Sequence, residues 1–332
     1  MMKTKIVYAL TSDNTDFCLE QTYVSICTLR KYHPTDYVGL VVDEITDNTI
    51  IGKRSYILDV ITEKIVITAP SDYSKVARSR FLKTTMRNHI AGDFLFIDSD
   101  TVIIDDLSEL DNLPGDIYAT LDTHVTLDKH SYYESTISQQ AKAIDWQITE
   151  LDKKYFNSGL MLVKDTELSR TFYKRWNEEW AKGLSNLVAP LPSDQPSLGK
   201  VNAELDYVIN ELPGIWNCQF SVNGLRFFND AKILHYFSST IQKGESDNVY
   251  LLMNKEVFAS LKASGIIDET LKEMMNHPKS LFTERLLLLS GNDLSIYQSA
   301  FVKYVYVLYN KHRKIYNLIN NLLEVYSRRN RK

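Results

Sequence analysis

The sequence predicts an α/β fold, an open sheet covered by helices on both faces, with a helical appendage at its C-terminal end. Through about residue 240, short apolar runs alternate with helix-period segments, as strands and helices do in an α/β sheet. Several runs, Leu160 to Val163 among them, are apolar at every position, as strands buried on both faces are. Beyond about residue 245 the β pattern stops and only helical patterns follow.

In order, the expected strands are Ile6 to Thr11, Val38 to Val42, Lys64 to Thr68, Phe94 to Ile97, Ile117 to Leu121, Leu160 to Val163 and Ile233 to Tyr236. Phe17 to Tyr32 and Ser74 to Ile90 read as helices. In the second, Arg78, Leu82, Met86 and Ile90 recur at four-residue steps and share one face. That face is the buried one, so the Arg78 guanidinium needs an acidic partner, either a protein carboxylate or a ligand phosphate. Residues 122–156 carry Tyr132, Tyr133, Trp146 and Tyr155 without a clear period and read as an inserted lid or acceptor-side segment. Phe301, Val305, Leu308, His312, Ile315, Ile319 and Leu322 alternate spacings of four and three, which places one seam along a single helix of about six turns.

With 332 residues, 44% hydrophobic and 24% charged, the chain can bury a substantial core, and the disordered, collagen-like and disulfide-rich secreted classes are excluded. Its 12 Gly and 8 Pro are too few for a turn-dense all-β protein. A net charge of −4 gives no global reason to expect nucleic acid, yet residues 297–332 hold eight basic side chains against Glu324 alone. This basic, tyrosine-rich end either lies on an anionic membrane surface or presents the solvated face of a helix packed on the catalytic part or on a second copy. The packed role is favoured, because His312 interrupts the seam and the tyrosines surround the helix. Cys18, Cys27 and Cys218 show neither CxxC nor a His-paired zinc spacing, so reduced, buried thiols in a cytosolic compartment are expected. No apolar run approaches the roughly 18 residues that span a bilayer, and Met1 to Thr11 reads as a first strand rather than a signal peptide.

The clearest chemical signal is Phe94-Leu95-Phe96-Ile97-Asp98-Ser99-Asp100, an apolar strand that ends in two carboxylates. Ligands of open α/β sheets bind beyond the carboxyl ends of strands. Paired carboxylates there can grip Mg²⁺ or Mn²⁺, whose other positions go to substrate phosphates and water; alternatively they are solvated turn or cap residues. Phe156-Asn157-Ser158-Gly159 is either a strand-entry turn or a ligand contact, Gly159 permitting close backbone approach and Asn157 both donating and accepting. Ser193-Asp194-Gln195-Pro196 looks like a capped helix start, and Asp194 and Gln195 would stand beside a sugar ring if it also served a site. His235 in Ile233-Leu234-His235-Tyr236 is either a satisfied core residue or a metal ligand.

Taken in order, these segments resemble glycosyltransferase family 8, nucleotide-sugar-dependent enzymes of the GT-A fold, whose Rossmann-like mixed sheet is flanked by helices. Lys75-Val76-Ala77-Arg78 looks like that family's Tyr-Ala-Arg helix, and Ile6 to Thr11 like its opening strand. The likeness spans about residues 4 to 243. It implies a catalytic domain over 1–245, with 122–156 inserted, and a helical region over 246–332. It further implies that Asp98, Asp100 and His235 hold Mn²⁺ or Mg²⁺ against the diphosphate in the Asp98-Ser99-Asp100 turn. Ala9, Leu10 and Thr11 would touch base and ribose, Arg78 the donor sugar, and Asp122, Asn157, Asp194 and Gln195 the transferred hexose, with Gly159 allowing the donor close to the backbone. Three features depart from the family: Ser238 stands where a Gly is common, no Lys-Pro-Trp follows, Lys243 being the nearest substitute, and the Asp-rich sequence after the first strand is altered to Thr11-Ser12-Asp13-Asn14.

The implied activity is metal-dependent transfer of a hexose, from a UDP-linked donor, to a glycan or lipid-linked acceptor in surface polysaccharide synthesis, with retention. Asp194 and Gln195 would be the catalytic pair, Gln195 or a backbone carbonyl supporting the oxocarbenium-like centre. Ligation needs neutral imidazole, so activity is expected to fall as His235 protonates. Two alternatives stand: a catalytically impaired nucleotide-sugar-binding protein, and an inverting enzyme with Asp194 as base. A sugar nucleotidyltransferase would need a Gly-rich loop after the first strand, and there is no Gly from Met1 to Tyr37.

Overall fold

A computed structural model describes residues 2–186, 193–237, 252, 253, 255–281 and 299–329. In chain order the elements are β1 (Lys5–Leu10), α1 (Cys18–Arg30), β2 (Val38–Asp43), α2 (Glu44–Asp47), β3 (Glu63–Ile67), α3 (Lys75–Thr85), β4 (Phe94–Ile97), β5 (Thr101–Ile103), β6 (Ile117–Leu121), α4 (Ser138–Ala143), β7 (Phe156–Val163), α5 (Glu167–Asn186), α6 (Asp194–Glu204), β8 (Ile209–Glu211), β9 (Ile233–His235), α7 (Lys255–Ser264), α8 (Glu269–Asn276), α9 (Ala300–Lys311) and α10 (Arg313–Arg329). Seven strands form one sheet in the order β3-β2-β1-β4-β7-β6-β8. The pairs β3-β2, β2-β1 and β1-β4 are parallel, and β7 enters antiparallel between β4 and β6. The α/β class is as expected, with a mixed sheet.

The period-two alternation of strand side chains divides the core in two. Ile6, Tyr8, Leu95, Ile97, Leu160 and Leu162 face one side, where α1 packs with Leu19, Val24 and Leu29. Val7, Phe94, Phe96, Met161 and Val163 face the other, against Leu82 of α3, Trp176 of α5 and Leu198 of α6. Every residue of β2 and β7 is buried for this reason. Phe258 and Leu261 of α7, with Leu271 and Met275 of α8, join the first layer beside α1.

Several local expectations change. The strands β5 and β8, three residues each, are too short to leave a periodic trace. The Ser74 to Ile90 helix ends at Thr85 and tightens into a 3₁₀ turn over Met86–Asn88. Phe156 to Gly159 is not an entry turn: it lies inside β7, where the β6 pairing slips by a bulge after Ala119. The segment 122–156 has its own small core of Leu127, Ile137, Ala141, Ile144, Trp146 and Tyr155.

The single C-terminal helix is broken at His312, whose backbone leaves the helical region (φ −134°, ψ 53°) between α9 and α10. Along the seam Leu308 is buried, whereas Phe301, Ile315, Ile319 and Leu322 are exposed in the single chain. Cys218 is buried and Cys18 and Cys27 are partly so, all as free thiols, with burial pushing each thiol up to about 12. Among the described residues no helix is long and apolar enough to cross a membrane. Ser238 and Lys243 lie outside the described residues.

Candidate active and metal site

The strand order reverses beside β1, with β2 and β3 laid on one side of it and β4 on the other, and ligands of open α/β sheets bind at such a switch point. Ala9, Leu10 and Thr11 end β1 there, Ala9 half-buried and the other two buried. Asp98, Ser99 and Asp100 follow β4 directly. After this turn the chain continues as β5, which pairs antiparallel with β9, Thr101 opposite His235. The Tyr236 amide donates to the Asp100 carbonyl at 2.9 Å. That small ladder is what carries an imidazole 135 residues downstream to the Asp-x-Asp turn: His235 Nε2 lies 3.1 Å from Asp100 Oδ1. One ligand atom each of Asp98, Asp100 and His235 fall within 4.8 Å of one another.

Gly159 of β7 lies against this cluster, its carbonyl accepting from the Asp98 amide at 2.8 Å. A Cβ on it would lie 2.7 Å from Asp98 Oδ2, 2.7 Å from His235 Cε1 and 2.8 Å from Asn157 Oδ1. Two carboxylates and an imidazole converging over a strand with no side chain to intrude form a donor set suited to Mn²⁺ or Mg²⁺. Burial alone would lower the His235 pKa, but the nearby Asp100 and Asp98 charges outweigh it and raise it.

A second charged group stands behind the first. Ser193 caps α6, accepting from the Gln195 amide at 3.3 Å, and Asp194 in the first turn is buried. Its carboxylate accepts from Ser158 Oγ at 2.6 Å and pairs with Arg80 at 3.0 Å and Lys83 at 3.7 Å. Lys83 also pairs with Asp98 at 3.1 Å while almost wholly buried, so this lysine links the two acidic groups. Burial by itself would raise the Asp194 pKa; Lys83, Arg80 and the Ser158 hydroxyl reverse that and bring it down to about 2. A carboxyl whose folded pKa lies below its unfolded value of about 3.9 stabilises the fold fully above that value. The contribution, roughly 2 kcal/mol, is lost as pH falls toward 2. Denaturant titrations between pH 5 and pH 2 should therefore show a loss of stability that Asp194→Asn removes; equal slopes in both proteins would refute the assignment.

The other residues singled out from the sequence are distributed around this centre. Arg78 pairs with Asp43 at the end of β2, and it is Arg80, two positions on, that meets Asp194. Asp122 accepts from Asn157 Nδ2 at 2.7 Å and lies 2.9 Å from His130 Nε2. Gln195 Oε1 is 3.4 Å from Asn157 Nδ2. Asp122, His130, Tyr132, Gln140, Tyr155 and Gln195 line a cavity of about 230 Å³. Arg80 and Lys83 were not singled out from the sequence, although their i, i+3 spacing just before β4 placed two cations on one helix face. Asn217, central to the hydrogen bonding below, left no signal beyond one polar residue between Trp216 and Cys218.

Residues 63–241 match the sequence pattern of glycosyl transferase family 8. The chain belongs to this family. It is a glycosyltransferase, and membership implies a nucleotide-sugar donor, a glycan acceptor and general dependence on a divalent metal. No curated protein sequence matches the glycosyltransferase. Among solved structures it is similar to the galactosyltransferase LgtC in complex with donor and acceptor sugar analogues, at TM-score 0.50 and 15% identity over 81% of this chain and 99% of that one. Mouse xyloside xylosyltransferase 1 in its apo form gives TM-score 0.47 and 16% identity over 71% and 98%. The glycosyltransferase GlyE of Streptococcus pneumoniae gives 0.47 and 17% over 85% and 66%. Of these, the likeness to LgtC supports the GT-A fold, and the fold alone.

Proposed function

We propose that this glycosyltransferase moves a hexose from a UDP-linked donor to a glycan or lipid-linked acceptor, with retention and with Mn²⁺ or Mg²⁺, in surface polysaccharide synthesis at the cytosolic face of a membrane. Residues 1–245 carry the reaction in this reading. The observation that carries it is the convergence of Asp98, Asp100 and His235 within 4.8 Å. A divalent cation bound by those three side chains would supply Lewis acidity to the donor diphosphate, lowering the cost of the charge the leaving group gains.

The chain's own residues do the rest. Thr11 and the end of β1 receive the nucleoside, Arg78, paired with Asp43, meets the donor sugar, and Asp122, Asn157 and Gln195 face the hexose. The bond from the anomeric carbon to the phosphate oxygen breaks, the acceptor oxygen bonds to that carbon on the same face, and the acceptor proton passes to the departing phosphate. Gln195 Oε1 supports the electron-poor ring during that exchange. A carboxylate bound by Ser158, Arg80 and Lys83 is a poor base, which speaks for Asp194 as an anchor of the cationic side chains and against inversion through it.

The exposed apolar positions of α9 and α10 favour a peripheral role for the basic end. Phe301, Tyr304, Tyr306 and Leu318 are all exposed, an arrangement suited to an anionic lipid surface. A thermal-shift screen of nucleotide sugars with and without Mn²⁺, followed by donor hydrolysis, tests the whole reading. UDP-hexoses should raise the melting temperature only with the metal, and sugar should be released. Binding without release would favour a non-catalytic binding protein, and failure of the full chain to sediment with anionic vesicles would remove the membrane role.

A further inference from the structure

A buried chain of hydrogen bonds connects the cavity to the imidazole, and its polarity can be assigned from its fixed ends. The Tyr132 amide donates to His130 Nδ1 at 3.2 Å, so His130 Nε2 carries the proton it gives to Asp122. Asp122 as a carboxylate only accepts, so the atom of Asn157 that meets it is Nδ2, at 2.7 Å. Independently, the Gly159 amide only donates, and the atom of Asn157 that it meets is Oδ1, at 3.0 Å. The same Oδ1 lies 3.0 Å from the side-chain amide of Asn217, which must therefore present Nδ2; that nitrogen also reaches Thr120 Oγ1 at 3.0 Å. What remains of Asn217 is its oxygen, 2.8 Å from His235 Nδ1. All these side chains are buried, Asn217 completely, so water does not compete for them.

We propose that Asn217 is a positioning residue for the metal-binding imidazole: its oxygen, aimed by Asp122 and Asn157, receives the Nδ1–H of His235 and so reserves Nε2 for the cation. Outer partners of this kind fix ring orientation and typically change metal affinity by roughly 10- to 100-fold. The proposal rests on the metal reading above and adds that the same asparagine joins the hexose side of the pocket to the metal side.

The test uses the full-length chain and two substitutions of similar volume. Asn217→Leu removes the acceptor, whereas Asn217→Asp keeps it. In the wild-type chain without metal, proton NMR should show a slowly exchanging imidazole Nδ1–H, assigned to His235 by its loss in His235→Ala. Asn217→Leu should lose that resonance and weaken Mn²⁺ binding, read from the electron paramagnetic resonance of the free ion, by roughly 10- to 100-fold; Asn217→Asp should keep the resonance. Wild-type resonance and Mn²⁺ affinity in Asn217→Leu would overturn the positioning role while leaving the metal site intact. Unchanged Mn²⁺ affinity in His235→Ala would overturn the metal reading and the proposal with it. If the leucine variant does not fold, absence of a protected Nδ1–H from the wild type overturns the proposal directly.

Discussion

Asp100→Ala and His235→Ala should each lower metal-stimulated sugar transfer by about 10²- to 10³-fold, because a cation that neutralises a leaving diphosphate contributes several kcal/mol to the transition state. Each substitution deletes one of the three ligand groups that converge among the described residues, and neither removes much of the apolar core. The melting temperature without metal should stay close to wild type in Asp100→Ala and fall by only a few degrees in His235→Ala, which orphans the buried Asn217 oxygen, while in both the increment gained on adding Mn²⁺ disappears. The comparison is informative because binding and chemistry separate: a chain that only binds nucleotide sugar would lose the thermal increment and have no turnover to lose. If both variants keep metal-stimulated turnover within a few fold of wild type, the ligand set assigned here is wrong.

Gly159→Ala should be nearly as damaging, for a steric reason. The added methyl would sit 2.7 Å from an Asp98 oxygen and 2.7 Å from a His235 ring carbon, with Asn157 Oδ1 at 2.8 Å. Those neighbours are held from behind, Asp98 by Lys83 and His235 by Asn217, so relief requires moving the converging carboxylates and imidazole apart. Overpacking of this kind costs roughly 1–3 kcal/mol of stability. Mn²⁺ affinity measured by calorimetry should fall by at least about tenfold, as for other losses of ligand support. Wild-type affinity in the alanine variant would mean that the three groups do not act together around one ion.

A buried lysine joins these two results. Lys83 pairs with Asp98 after β4 and with Asp194 at the start of α6, so the charge balance of one group depends on the other. Removing one partner of such a buried set leaves the others uncompensated, which is costlier than losing a surface ion pair. This is why Asp194 reads as an anchor even though its sequence context, Ser193-Asp194-Gln195-Pro196, also describes a helix start: Ser193 does the capping, and Asp194 is left to face the cations.

The sequence by itself determined the α/β class, the principal strands and the chemistry available at the end of β4, because those depend on local periodicity and on which residue types follow an apolar run. It could not determine how β5 and β9 meet. Each is three residues long, and a strand so short is stable only through its partner, so the ladder that brings His235 to Asp100 exists only once the chain has folded. The same holds for Arg80 against Arg78: both lie on one predicted helix, and only the packing of α3 on β1, β2 and α5 decides that Arg78 meets Asp43 and Arg80 meets Asp194. The break at His312 was likewise beyond the reach of a seam pattern, since the spacing of four and three continues across it while the backbone does not. Asn217 is the extreme case: its amide acquires a direction from a carboxylate and a backbone N–H that lie 95 and 58 positions away in the chain, and polarity passed along a buried hydrogen-bond chain is a property of tertiary structure alone.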